Sequence, residues 1–160
     1  MAKKDQIAQR LEQLLPQDAI CRDENYRAGV ILAARLTADK LRAALQACEE
    51  AGFFLECITG LDFTDAMELV YHLNCYEPGS RIALRLFCQP GDTPPSVGDI
   101  FPAALWHERE VHDFFGIQFK DNPDLRALLL PDDADYHPHL KTFGKTHAYL
   151  KWEDVYGKIK

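Results

Sequence analysis

Residues 107–116, HEREVHDFFG, set Glu108, Arg109, Glu110, His112 and Asp113 beside two phenylalanines and end on a glycine. Three kinds of chemistry use such a cluster. Carboxylates and histidines ligate metals or move protons, opposite charges lace a solvated helix face, and a polar network can hold two subunits together. A zinc-hydrolase helix would need a second histidine four residues after His107, and Val111 stands there. What remains for a metal is Glu108 and His112, with His107, His137 and His139 as further donors. A stand-alone metallo-enzyme on Glu108, His112 and His137 is therefore kept as a rival reading. Asp132, Asp133 and Asp135, in PDDADYHP, read more simply as a solvated turn than as a pair of hydrolytic carboxylates. No GxGxxG, P-loop or GxSxG motif occurs, and the five cysteines (21, 48, 57, 75 and 88) include no CxxC pair. A cysteine-ligated iron–sulfur cluster of ordinary spacing is thereby excluded.

The elements that must position this cluster belong to a chain of 160 residues, enough for one domain with a real core. With 47% hydrophobic and 27% charged residues it reads as globular. The net charge of −7 argues against nucleic acid or an anionic membrane surface as partner. The charge is uneven. Residues 136–160 carry five lysines against Glu153 and Asp154, a balance of +3, which leaves −10 on residues 1–135. The opening MAKKDQIAQRLEQLL is too polar for a secretory signal, and no apolar run approaches the roughly 20 residues that span a bilayer. The expectation is a cytosolic chain with reduced thiols.

Ile7, Leu11 and Leu14 predict a short helix over 3–15 that Pro16 stops. YRAGVILAARL (26–36) reads as a strand. Leu41, Ala44, Leu45 and Cys48 form the stripe of a second helix, with Thr37 as N-cap, a staple between Leu36 and Leu41, and Gly52 as its end. Three strands follow, at 53–61, 67–76 and 81–88. In the second, Met67, Leu69, Tyr71, Leu73 and Cys75 point one way and Glu68, His72 and Asn74 the other; in the third, Ile82, Leu84, Leu86 and Cys88 point inward. The turn EPGS (77–80) makes the last two a hairpin, and the Pro/Gly-rich 89–99 is a loop. The order implies an α+β fold: two layers, with helices on one face of a mixed, largely antiparallel sheet.

FPAALWHEREVHDFFG (101–116) then reads as a helix. Phe101, Ala104, Leu105, Val111 and Phe115 fall on one side, and Glu108 and His112 fall in the middle of that apolar stripe. A carboxylate facing the core needs a partner. Arg126, Arg85, Arg81 and His112 are available, and an ion pair of Glu108 with Arg126 is the expected anchor. Arg109 and Asp113 form another i, i+4 pair on the opposite side, and Trp106 and Phe114 are left on an exposed face, as at a subunit contact. In the tail, Tyr149, Trp152 and Tyr156 recur at i, i+3, i+7 among lysines. That pattern suits either a docking arm or a helix folded back on its own body.

WHEREVHDFFGIQFKDNPDLRALLLPDD (106–133) resembles the signature of the 30-kilodalton subunit of proton-pumping NADH:quinone oxidoreductase (respiratory complex I). The matching positions are Glu108, Arg109, Glu110, Asp113, Phe115, Gly116, Ile117, Phe119, Pro123, Leu125, Arg126, Leu130, Pro131 and Asp133. The same family supplies a subunit to membrane-bound nickel–iron hydrogenases and formate hydrogenlyases. Departures at His112, at Asp121 and Asn122 and at Ala127 raise those relatives as the alternative. The resemblance implies a subunit with no cofactor of its own. It would pack on the large, hydrogenase-like 49-kilodalton-type subunit and an iron–sulfur subunit, at the cytoplasmic face of a membrane-bound complex. Its contacts would come from the signature residues of a domain spanning 1–135, with Glu110 and Arg109 facing a partner or a loop, and from a tail, 136–160, that carries Trp152.

Overall fold

Helical spacing of Ile7 and Leu11 places both, wholly buried, on one side of α1 (Lys3–Leu14). The computed structural model describes residues 3–22, 29–77 and 79–143, and Trp152 with the rest of the tail lies outside them. A 3-10 turn (Gln17–Ala19) leads into a three-residue strand, β1 (Ile20–Arg22), which no periodicity in the sequence announces. β2 (Val30–Leu36) alternates strictly between buried and half-buried residues. In α2 (Ala38–Glu50), Leu41, Ala44, Leu45 and Cys48 are all buried, as their spacing predicts.

The ends of α2 divide. At the C-terminus Gly52 takes φ +82°, its N–H reaches the Glu49 carbonyl (2.8 Å), and the Phe53 N–H reaches that of Cys48 (3.0 Å). This is the double bond of a Schellman ending, which needs a residue without Cβ strain. At the N-terminus Thr37 has the extended conformation of an N-cap, but its side chain bonds no helix N–H. It hydrogen-bonds the Asp39 carboxylate instead, and that contact is the main reason the Asp39 pKa is lowered.

β3 (Phe54–Asp62), β4 (Met67–Asn74) and β5 (Arg81–Cys88) form the antiparallel meander. The five strands run in the order β1-β2-β5-β4-β3, and β2 lies parallel to β5, so the sheet is mixed and largely antiparallel. Leu32, Ala34 and Leu36 stand beside Ile82, Leu84 and Leu86, which stand beside Leu73, Tyr71 and Leu69. This continuous apolar face joins the buried side chains of α1, α2 and α3 (Ala104–Phe115) in one core. The architecture is two-layer α+β, with the three described helices on one face.

The opposite face is not the polar surface that alternation implied. Glu68, assigned by alternation to the face opposite the apolar stripe, is wholly buried there and pairs with Arg85 at 3.1 Å. Val30, Val70 and Ala83 form a small second cluster beside it.

Candidate partner-binding site

α3 begins after a tight turn in which the N–H groups of Ile100 and Phe101 both meet the Val97 carbonyl. The expected start at Phe101 is thus three residues early. The helix ends at Gly116 (φ +76°), whose N–H reaches the His112 carbonyl. Its inner side rests on β3 through Phe115. Gly60 of β3 carries no side chain there, and a Cβ would come within 2.7 Å of the Phe115 ring.

Glu108 is wholly buried, as its place in the apolar stripe requires, but its partners are not those expected. Oε1 accepts the Val97 N–H at 2.8 Å and Oε2 accepts Asn122 Nδ2 at 2.7 Å. Ser96 supplies a further hydrogen bond. Burial pushes the carboxyl above its ordinary pKa, and these three hydrogen bonds offset only part of that rise. The Glu108–Arg126 ion pair is therefore corrected. Arg126 reaches Asp124 through Nε (2.7 Å) and Nη2 (2.8 Å), with 81% of its side chain exposed. Its guanidinium gains more from water and a local carboxylate than from entering the core.

The i, i+4 pair of Arg109 and Asp113 is corrected as well. Both side chains grip the segment 126–130, which has no regular structure of its own. Arg109 donates to the carbonyls of Arg126 (3.1 Å) and Ala127 (2.8 Å). Asp113 Oδ2 accepts the N–H groups of Leu128 (3.2 Å), Leu129 (2.8 Å) and Leu130 (2.9 Å). One turn of helix thus satisfies five successive residues of loop backbone, carbonyls first and amides next. Burial opposes the charge of Asp113, and the three amides outweigh it, so its pKa lies below the usual carboxylate range.

This clamp fixes what the loop displays. Leu129 is 65% exposed, and Trp106, one turn before Arg109 on α3, is 62% exposed with the guanidinium 5.2 Å from its ring centroid. The expectation that Trp106 stands exposed holds. Phe114 is half-buried under a stacked His139, centroids 4.4 Å apart. Glu110 is exposed and lines a groove between α3 and β3 with His107, Thr59 and His139. Pro123 is exposed beside the Asn122 that holds Glu108, and Asp133 is exposed in the turn closed by the Ala134 N–H on Pro131.

Residues 137–139 return to the end of α3. His137 Nδ1 lies 2.8 Å from the Asp113 carbonyl and the His139 N–H 3.1 Å from that of Phe114. The His137 ring packs where a Cβ on Gly116 would come within 2.7 Å of it. The donor set of the metal reading is not brought together. Among the described residues no group of three or more His, Cys, Asp and Glu side chains is placed to hold a metal ion. His112 Nδ1 meets the Ile117 carbonyl at 3.0 Å, and the His112 and His137 ring centroids are 6.3 Å apart. Sequence reasoning missed Ser96, Asn122 and the loop amides; an Asn-Pro-Asp turn signature at 122–124 was the one available sign. No described helix is long and apolar enough to cross a membrane.

The family described as "Respiratory-chain NADH dehydrogenase, 30 Kd subunit" matches residues 34–149. Among curated relatives, the chain is 34% identical over 110 residues to an NADH-quinone oxidoreductase subunit of Chloroherpeton thalassium, covering 67% of this chain and 43% of that protein. It is 42% identical over 106 residues to the subunit of the same name from Ruegeria sp., covering 64% and 53%. The chain thus spans about half the length of these relatives. Among solved structures, a chain of the membrane-bound sulfane sulfur reductase, an archaeal respiratory membrane complex, superposes with TM-score 0.74 at 29% identity, covering 98% of this chain and 91% of that one. A trypsin-resistant fragment of Nqo5 superposes with TM-score 0.60 at 28% identity, covering 74% and 98%. The family match takes in the whole of α3, the clamped loop and the strands beneath them, and the chain belongs to the family of the 30-kilodalton subunit of respiratory-chain NADH dehydrogenase.

Proposed function

We propose that the chain is a hydrophilic subunit of a complex I-type NADH:quinone oxidoreductase. In this reading it has no reacting group of its own and scaffolds the large, 49-kilodalton-type catalytic subunit beside an iron–sulfur subunit. Its place is the peripheral electron-transfer arm, at the cytoplasmic face of the membrane. The observation that carries the reading is the clamp. A segment without regular structure is held at five consecutive residues by Arg109 and Asp113, and it presents Leu129 to solvent beside the exposed Arg126, while Trp106 stands exposed on α3 one turn before Arg109. Rigid, exposed apolar anchors beside buried backbone are what a protein partner reads, because little entropy remains to be lost on docking. Membership in the family and likeness to chains named as respiratory-complex subunits favour the same reading.

A second reading has its own support. The sulfane sulfur reductase chain covers nearly all of this one, while the Nqo5 fragment covers three quarters. That favours the equivalent subunit of a related membrane-bound complex, of the energy-converting hydrogenase or formate hydrogenlyase kind. Affinity purification of the tagged chain from gently solubilised membranes tests both. Co-purification of a large subunit with an iron–sulfur partner supports the scaffold, and the presence or absence of two CxxC nickel motifs in the large subunit separates hydrogenase from quinone reductase. A chain that comes down alone sinks both readings. Leu129→Glu should reduce that recovery while leaving the melting temperature of the isolated chain unchanged.

A further inference from the structure

The two edges of the sheet are unequal. β1 is three residues long and offers an incoming chain little to pair with, whereas β3, at the other edge, runs for nine. An edge invites another strand through its unpaired N–H and C=O groups, and proteins block it with charges, prolines, bulges or a covering segment. β3 is blocked at its ends. Its pairing with β4 slips between Leu55 and Cys57, and the Glu56 skipped there is tied to Arg81 and Asn74. At the other end the Lys141 N–H bonds the Asp62 carboxylate at 2.6 Å. Between these stops Cys57, Ile58, Thr59, Gly60 and Leu61 keep unbroken register with β4, without a charge or a proline among them. Among the described residues no strand pairs with their outer side.

Alongside this stretch runs the groove between β3 and α3. Its buried floor is Ile58 and Val111. It holds about 320 Å³, against about 150 Å³ for a cavity that takes one benzene. Glu110 is the one acid among its lining residues, is exposed, and makes no ion pair with a described residue.

We propose that an extended segment of another subunit adds to β3 as a further strand at residues 57–61, with side chains in the groove and a lysine or arginine on Glu110. The proposal rests on the reading of the chain as a scaffold subunit. The occupant is extended because only an extended chain pairs a row of strand N–H and C=O groups. It is basic because the charge waiting in the groove is a carboxylate, on a body of residues 1–135 that carries −10. Glu110 follows Trp106 by one turn on the same side of α3, so the groove continues the face that bears the exposed tryptophan.

Hydrogen exchange read at single residues, in the isolated chain and in the complex purified through it, tests the proposal. In the isolated chain alternate amides of 57–61, those turned outward, should exchange faster than their neighbours bonded to β4. In the complex the outward set should slow at least tenfold while the other set stays as it was. That alternation marks an added strand, and uniform slowing of the whole stretch overturns the proposal in favour of a partner lying across it in another form. Glu110→Lys should leave the melting temperature of the isolated chain unchanged and cut recovery of the complex several-fold, more than Glu110→Gln does. Recovery indifferent to Glu110→Lys overturns the proposal. Outward amides that exchange as fast in the complex as in the isolated chain overturn it too, and leave the scaffold reading standing. A chain that comes down alone overturns both. Outward amides already slow in the isolated chain also overturn it, assigning the edge to a second copy if dilution speeds them and to the chain itself if it does not.

Discussion

Glu108 and Asp113 stand five residues apart on one helix, both are buried acids, and their environments push them in opposite directions. Glu108 faces the core and takes one backbone amide and two side-chain hydrogen bonds, and burial wins: its pKa is raised. Asp113 faces the loop and gathers three consecutive backbone amides on one oxygen, and the amides win against burial. Burial alone does not set the charge of an acid. Each acid accepts three hydrogen bonds, so their number does not separate the two. Glu108 lies wholly in the core and two of its donors are side chains, whereas Asp113 sits at the core's edge and all three of its donors are backbone amides held in a row.

Removing the stronger donor set should do the most harm. Asp113→Ala should cost about 3–4 kcal/mol in urea denaturation, since three amides lose their acceptor together. Amide exchange at 128–130 should rise with it. Glu108→Ala should cost somewhat less, about 2–3 kcal/mol, from a cavity and three donors left without their acceptor, two of them side chains that can turn away. Equal losses would mean that the two acids do the same job.

Their pH dependences should have opposite sign. Asp113, lowered in the folded state from an ordinary 3.8, contributes stability that is present above that value and lost as pH falls through its folded pKa. Glu108, raised from 4.5, contributes stability that is present below 4.5 and lost as pH rises through its folded pKa. Glu108→Gln should remove the loss on the alkaline side at a cost of only about 1 kcal/mol, because one amide hydrogen then opposes Asn122. Asp113→Asn should flatten the acid side instead. Stability measured from pH 3 to 7 on both variants checks this, and a Glu108→Gln profile parallel to the wild type would refute the assignment. The smallest effect belongs to Arg126→Ala, which should leave the denaturation midpoint unmoved because its pairing with Asp124 is exposed.

The meander and α2 were legible in the sequence because burial there follows one period per element. Leu69, Tyr71, Leu73, Ile82, Leu84 and Leu86 are all buried on the face their alternation assigns, although Glu68, Val70 and Ala83 between them are buried as well, and Leu41, Leu45 and Cys48 repeat at helical spacing. β1 was not legible, since three residues hold less than two periods of any pattern. The site was half legible. Residue types announced that Glu108 was buried and Trp106 exposed, but partners were sought among side chains. The true partners of Glu108, Arg109 and Asp113 are largely backbone groups, and every residue carries those, so no letter of the sequence marks them. Glu68 fails for a related reason: alternation assigns a face, while the cover on that face comes from elsewhere in the fold.

Gly116 is closed to substitution in a way that Gly91 is not. Both adopt left-handed angles, and asparagine tolerates such angles in many proteins. At Gly91 nothing lies within 4 Å of an added Cβ, so Asn should be accepted with little change. At Gly116 the same replacement meets the His137 ring, and relief would require that ring to leave the carbonyl of Asp113. An engineer who varies this surface to alter partner choice therefore has freedom at Trp106 and Leu129 and none at the joint behind them.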